Sequence, residues 1–157
     1  ALGNLERSVA ADTTFGTPLS LMGQIHLALG DYEEAEKEFA RSVELDESSV
    51  SAWTGLGRAI LLQGRVDEAS AKLAHAREID GTYTPALRNL AECRRLEGDE
   101  AGARERLDEA LALNPRDPGT LATLGRLQRN EGDIAAALAS YRTAMEQLVT
   151  LPIVGAE

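Results

Sequence analysis

VSAWTGLGRAILLQGRVDEASAKLAHAREIDGTY, residues 50–83, is the stretch of sequence that decides the fold. Its first half places apolar or small residues three and four apart, as one face of a helix with 3.6 residues per turn requires. Gly64 then interrupts the pattern, and glycine readily adopts the left-handed conformation that ends a helix. Asp67 and Glu68 follow, where acidic residues complement the dipole at the start of a second helix. The stretch therefore predicts two short helices joined by a tight turn.

The same pattern returns along the chain at a constant interval of 34 residues. A fixed period of this length is typical of helical repeat arrays. The interval separates four glycines, and each of them is followed five residues later by an alanine: Gly30, Gly64, Gly98 and Gly132, with Ala35, Ala69, Ala103 and Ala137. The first helices are predicted at 17–29, 51–63, 85–97 and 119–131, and the second helices are predicted to end near 46, 80, 113 and 147.

Each predicted first helix also carries a small residue at the same register position: Gly23, Gly57, Ala91 and Gly125. Small side chains allow two helix backbones to approach closely. We expect these residues to face the alanines of the second helix in the same repeat. The packing then requires that both positions remain small.

These residues resemble the tetratricopeptide repeat (TPR) family, whose pattern is W-x2-L-G-x2-Y, then A-x3-F, then a further alanine and finally a proline. Residues 50–83 match best, through Trp53, Leu56, Gly57, Ala69 and Ala76. The other copies match in part, through Leu19, Gly23, Ala35 and Phe39, through Leu87, Ala91, Ala103 and Pro115, and through Leu121, Gly125, Ala137 and Tyr141. The resemblance implies an all-α, right-handed superhelix of four full helix-turn-helix repeats plus half of a preceding repeat. It also implies a binding protein.

The period divides the chain into six segments. They are the second half of a preceding repeat at 1–15, repeats at 16–49, 50–83, 84–117 and 118–147, and an apolar, non-helical tail at 148–157. Because neither end carries a polar capping helix, we expect the native protein to be longer or both ends to be covered. The tail could fold over the last repeat, dock into a neighbouring groove, or be a remnant without a role.

Composition argues against several classes of function. The net charge of -10 would repel nucleic acid and acidic membrane surfaces. No phosphate-binding glycine loop, nucleophile elbow or metal-binding motif is present, so we expect no enzymatic activity, cofactor or metal. Cys93 is expected to be a buried small hydrophobe and His26 a packed substitute for tyrosine. The excess of arginine over lysine favours a bacterial source, and a soluble, cytoplasmic location is slightly favoured over the periplasm.

Functional residues are expected on the face of each first helix opposite the Leu and Gly positions, which lines the concave surface in the family. This face is apolar in the first two repeats and basic in the last two, which predicts a partner segment with apolar and acidic residues. Alternatively, Arg58, Glu92 and Arg126 form only a solvated charge ladder. The predicted groove residues are Gln24, Leu27, Arg58, Leu61, Leu62, Arg88, Asn89, Glu92, Arg95, Arg126, Arg129 and Asn130.

Two other functions remain open from the sequence. The repeats could be an accessory or regulatory domain of a larger enzyme or secretion-assembly protein, in which a neighbouring domain carries out the chemistry. They could also form a self-assembling scaffold in which the end repeats of different molecules stack. The leading interpretation is a non-catalytic scaffold that holds a segment of a partner protein.

Overall fold

The computed structural model of the protein describes residues 16–149. This part of the chain contains helices and turns but no strand, which confirms the all-α prediction. In chain order the helices are α1 (Gly16–Leu29), α2 (Tyr32–Leu45), α3 (Val50–Leu62), α4 (Val66–Ile79), α5 (Thr84–Leu96), α6 (Glu100–Leu113), α7 (Pro118–Asn130) and α8 (Ile134–Val149).

The turn between the two helices of each repeat is built around the predicted glycine. Gly30, Gly64, Gly98 and Gly132 have φ angles of 86°, 83°, 81° and 85°, all in the left-handed region. The amide after each glycine donates back to a carbonyl five residues earlier, as Asp99 does to Arg94 over 2.9 Å. These bonds satisfy the last carbonyls of the first helix and turn the chain into the second.

Side-chain caps start several of the helices. Ser49 accepts a hydrogen bond from the amide of Ala52, and Asp117 accepts one from the amide of Thr120. Asp99 caps α6 in the same way. These caps satisfy amides that would otherwise lack a partner in the first turn.

The helices pack as an array in which each contacts its near neighbours. The two helices of a repeat pack together, each second helix packs against the next first helix, and successive first helices α1, α3, α5 and α7 also touch. One buried cluster joins Phe39 of α2, Leu56 and Ile60 of α3, Leu73 of α4 and Cys93 of α5. Since each short helix is stabilised mainly by its neighbours, the first helices are held side by side and share one open face.

The small residues of the first helices have a different partner from the one that we expected. A Cβ atom at Gly23 would lie 2.8 Å from the ring of Phe39, and one at Gly125 would lie 2.8 Å from the ring of Tyr141. At Gly57 the added atom would lie 2.6 Å from Leu73 and 3.3 Å from the carbonyl oxygen of Ala69. These glycines therefore accommodate mainly the large residue four positions after the alanine, because that side chain lies across the helix.

Several predicted helix boundaries differ from the structure. Helices α3, α5 and α7 each begin and end one residue earlier than predicted, because the residue before the glycine belongs to the turn. The prediction that residues 148–157 are non-helical is wrong for Leu148 and Val149, which continue α8. The sequence has no glycine or proline between Gly132 and Pro152 that would end the helix earlier. The predicted half repeat at 1–15 and the tail from residue 150 lie outside the described residues.

Candidate binding groove

Two adjoining cavities follow the shared face of the first helices, and we call them together the groove. The larger cavity, of about 550 Å³, lies along α3, α5 and α7, and the smaller, of about 300 Å³, lies along α1, α3 and α5. Arg58, Arg88 and Asn89 line both cavities. The face arises because residues spaced three and four apart on each first helix point to the same side.

Most of the predicted groove residues come together here. The larger cavity includes Arg58, Leu61, Leu62, Arg88, Asn89, Glu92, Arg126 and Arg129. The smaller cavity adds Gln24 and Leu27. Arg95 and Asn130 line neither cavity, although Arg95 acts on the groove through Glu92.

Glu92 contributes a carboxylate to the lining of the larger cavity. Arg95 donates to both of its oxygens, from Nη2 to Oε1 over 2.7 Å and from Nε to Oε2 over 3.1 Å. Nη2 of Arg126 lies farther away, 3.6 Å from Oε2. Burial would raise the pKa of Glu92, but the hydrogen bonds from Arg95 and the charges of Arg126 and Arg95 outweigh it, so the pKa is lowered. Glu92 therefore stays ionised and neutralises mainly Arg95.

Arg88 is also neutralised within the protein. Its Nη1 lies 3.2 Å from Oδ2 of Asp117, the residue that caps α7. A Cβ atom at Gly119 would collide with this guanidinium, so the glycine leaves the space that Arg88 occupies. Because Arg88 already has a carboxylate partner, it contributes little free positive charge to the groove.

Arg58 and Arg129 are two of the exposed cations of the larger cavity, together with Arg126. Within residues 16–149, neither Arg58 nor Arg129 forms an ion pair with a carboxylate. Arg126 has a side chain that is 47% exposed; its Nη2 donates to Oγ1 of Thr123 over 3.2 Å and lies 3.6 Å from Glu92. The predicted charge ladder is thus realised between Glu92 and Arg126 but does not extend to Arg58.

Two leucines provide open apolar surface in the same cavity. Leu62 is 44% exposed and Leu96 is 49% exposed, although both side chains are large and apolar. They occupy equivalent positions in successive repeats, on α3 and α5, and both line the larger cavity. Leu61 lines the same cavity but is only 7% exposed, because it belongs to the core. The most accessible apolar surface of the larger cavity is therefore that of these two leucines, the last residues of α3 and α5.

Sequence reasoning did not select several residues that line the groove. Leu96 lies on the predicted groove face, 34 residues after Leu62, but is not among the predicted groove residues. Tyr141 of α8 also lines the larger cavity, but its place in the repeat pattern indicated only packing. Tyr83 and Pro85 line the smaller cavity from the start of α5, where no periodic signal marks them.

A further cavity, of about 660 Å³, opens between α4, α5 and α6 and was not predicted. Small residues on the two second helices leave this space, notably Ser70, Ala74 and Gly102. Its rim carries charges of both signs, and Arg77 pairs with Glu109 across the repeat junction at 3.0 Å. Because Arg77 at the rim already has a carboxylate partner, we interpret this cavity as a packing gap between repeats and not as a binding site.

The remaining reactive side chains do not form a site. Cys93 is fully buried, and burial, followed by the charges of Glu97 and Glu92, raises the pKa of its thiol to about 12. His26 lies 3.5 Å from Asp31, whereas His75 contacts the ring of Trp53 on another part of the array. Within residues 16–149, no group of three His, Cys, Asp or Glu side chains could hold a metal ion.

Comparison with protein families matches two models described as tetratricopeptide repeat, one over residues 20–83 and the other over residues 118–143. The chain belongs to the tetratricopeptide repeat family. The glycine turns, helix pairs and packed first helices of the structure are therefore those of a TPR array. Comparison with curated proteins found no match.

Solved structures share the fold of this TPR chain at low sequence identity. TTC0263, a thermophilic TPR protein from Thermus thermophilus, is 22% identical, with a TM-score of 0.85 over 96% of this chain and 82% of that protein. MamA from Desulfovibrio magneticus RS-1 is 20% identical, with a TM-score of 0.70 over 96% of this chain and 85% of that one. YrrB is 20% identical, with a TM-score of 0.69 and coverage of 94% and 76%. These likenesses confirm the TPR solenoid fold.

None of the helices between residues 16 and 149 combines the length and the apolar character needed to cross a lipid bilayer.

Proposed function

We propose that this TPR chain is a non-catalytic scaffold that holds a segment of a partner protein in the groove. One observation carries the proposal: Leu62 and Leu96 remain open to solvent side by side in a cavity that is also lined by exposed arginines. An apolar surface bordered by cations suits a protein segment that carries apolar and acidic side chains.

The charge distribution supports an acidic partner. The chain has a net charge of -10, yet Arg58, Arg126 and Arg129 give the larger cavity an excess of positive charge over Glu92. A basic groove on an acidic protein attracts carboxylates to that place and repels them elsewhere. The groove therefore selects where an acidic segment binds, and the acidic remainder of the surface limits binding at other places.

The solved structures lend support of a general kind. YrrB is described as a TPR protein with an unusual peptide-binding site, and another structure of this fold is the hetero-tetramer Cut9-Hcn1 of the APC/C. The latter has a TM-score of 0.83 and is 21% identical. Both descriptions concern binding to a peptide or protein, which is the activity proposed for this chain.

Affinity capture with matched variants tests the proposal. The immobilised chain is incubated with an extract of its source, and the retained proteins are compared with those held by the double variant Leu62→Glu, Leu96→Glu. The control is Leu45→Glu, Leu113→Glu, because Leu45 and Leu113 are 45% and 47% exposed and lie outside the groove.

We expect the groove variant to lose a partner that the control variant retains. The reason is that two carboxylates placed on the apolar surface would repel acidic side chains and remove the apolar contact. If both variants retain the same proteins as the unmodified chain, the groove is not the binding surface.

A further inference from the structure

We propose that the groove binds an extended segment with two acidic side chains about 20 Å apart and two apolar side chains between them. This inference rests on the proposed function and specifies the partner that it requires. It follows from which charges in the groove are already neutralised and from the repeat spacing.

The first anchor for an acidic side chain is Arg58 on α3. Its side chain is exposed, lines both cavities and, in the described part of the chain, has no carboxylate partner. Arg88, the other cation common to both cavities, is held by Asp117 at 3.2 Å. A carboxylate that enters this part of the groove therefore meets Arg58 as the available cation.

The second anchor is the pair Arg126 and Arg129 on α7. These residues are three apart in the helix, so their side chains lie on the same face. Both line the larger cavity. Arg126 donates to Oγ1 of Thr123 over 3.2 Å, and within the described residues its one carboxylate contact is at 3.6 Å to Glu92, whose oxygens are already bound by Arg95. The pair can therefore bind a second carboxylate without breaking the bonds between Glu92 and Arg95.

Leu62 and Leu96 supply the exposed apolar side chains on the two helices that precede the second anchor. Leu62 shares α3 with Arg58, and Leu96 lies on α5, the helix between α3 and α7. Because α5 contacts both α3 and α7, each step between first helices spans about 8–10 Å. The anchors on α3 and α7 are therefore about 20 Å apart.

An extended segment fits this spacing better than a helix does. Six residues of extended chain cover about 20 Å, and alternate side chains point to one side, so Asp-x-Leu-x-Leu-x-Asp presents all four side chains to the groove. A helix would need about 13 residues to cover the same distance.

The test uses two blocked heptapeptides of identical composition, titrated into the full chain and followed by NMR. The first is acetyl-Asp-Ala-Leu-Ala-Leu-Ala-Asp-amide, and the second is acetyl-Asp-Asp-Ala-Leu-Ala-Leu-Ala-amide. We expect the peptide with separated acids to bind about threefold more tightly, because only it can pair with both anchors.

Charge-reversal variants assign the two anchors. Arg58→Glu and Arg129→Glu should each remove most of the preference between the peptides. Arg116→Glu should retain it, because Arg116 is exposed and lines neither cavity of the groove. An unchanged preference in Arg58→Glu would overturn the first anchor.

The outcomes separate this inference from the proposed function. If both peptides bind equally and the Leu62→Glu, Leu96→Glu variant loses both, the groove binds peptides but the two-anchor inference is wrong. Tighter binding of a fourteen-residue helical peptide with acids at its ends would overturn the extended conformation. If the chain binds none of these peptides, both the inference and the proposed function fall.

Discussion

Arg95 donates to both carboxylate oxygens of Glu92, at 2.7 and 3.1 Å, so the protein places an anion of its own in the lining of a basic cavity. The same carboxylate lies 3.6 Å from Arg126. Glu92 thus competes with any acidic partner for Arg126. It also keeps Arg95 from contributing free charge to the groove.

Replacing Glu92 with glutamine should strengthen the binding of acidic peptides. The substitution removes the competing anion and leaves Arg95 and Arg126 without a carboxylate partner, so affinity for the peptide with separated acids should rise about threefold. NMR titration measures the change. The matched control is Glu33→Gln on α2, an exposed carboxylate outside the groove, which should leave the affinity unchanged. Equal or weaker binding by Glu92→Gln would show that Glu92 does not compete with the ligand.

The ion pair of Glu92 should also make stability depend on pH. Its pKa in the folded protein is lower than the ordinary value of 4.5. The stability that Glu92 contributes is therefore fully present above that ordinary value and is lost as the pH falls through the lower folded pKa. The difference in free energy of unfolding between the unmodified chain and Glu92→Gln should shrink from about pH 6 to about pH 3.

Urea unfolding at several pH values measures this difference. In an Arg95→Gln background the pH dependence should be smaller, because the main hydrogen-bond donor to Glu92 is gone. A difference that grows as the pH falls would mean that the folded protein raises the pKa of Glu92.

The glycine turns should tolerate a side chain only at a conformational cost. Gly98 has a φ angle of 81° and no atom within 4 Å of the position of an added Cβ. Gly98→Ala should therefore destabilise the fold by about 1–2 kcal/mol through the left-handed backbone alone. Gly81→Ala is the control, since Gly81 has no positive φ and its Cβ would approach only a carbonyl oxygen at 3.7 Å. If both variants unfold at the same urea concentration, the left-handed conformation of Gly98 is not the cause of the loss of stability.

The packing of α3 against α4 predicts a large effect at Ala69. This residue is fully buried, and its carbonyl lies 3.3 Å from where a Cβ of Gly57 would be. Ala69→Leu should destabilise the fold by about 1–3 kcal/mol because the helices must move apart. In the same helix, Ala74→Leu should change stability by less than about 0.5 kcal/mol, since Ala74 is exposed. A comparable loss from both variants would argue against close packing at Ala69.

The sequence predicted the fold closely because one period determines it. Four glycines at a 34-residue interval fixed the turns, and their left-handed conformation follows from the absence of a Cβ atom. The burial of Cys93 followed from its place on the core stripe. The end of α8 was missed by two residues, because the chain carries no breaking residue until Pro152.

The positions of the groove residues were predictable, but their pairing was not. Periodicity predicts that Arg88 and Arg95 lie on the groove face. Only the structure shows that Arg88 pairs with Asp117, 29 residues away, and that Arg95 pairs with Glu92. Long side chains reach several partners from one register position, and rotamers and helix packing decide among them. For this reason the sequence alone suggested a basic second half, whereas the arginines of the groove that lack a carboxylate partner within residues 16–149, Arg58 and Arg129, lie on α3 and α7.

The most direct measurement is a titration of the full chain, carrying labelled leucine methyl groups, with acetyl-Asp-Ala-Leu-Ala-Leu-Ala-Asp-amide. If the groove binds this peptide, the methyl resonances of Leu62 and Leu96 shift in a saturable way while those of Leu45 and Leu113 stay in place. Shifts confined to Leu45 and Leu113, or no saturable shift at Leu62 and Leu96, would contradict binding in the groove.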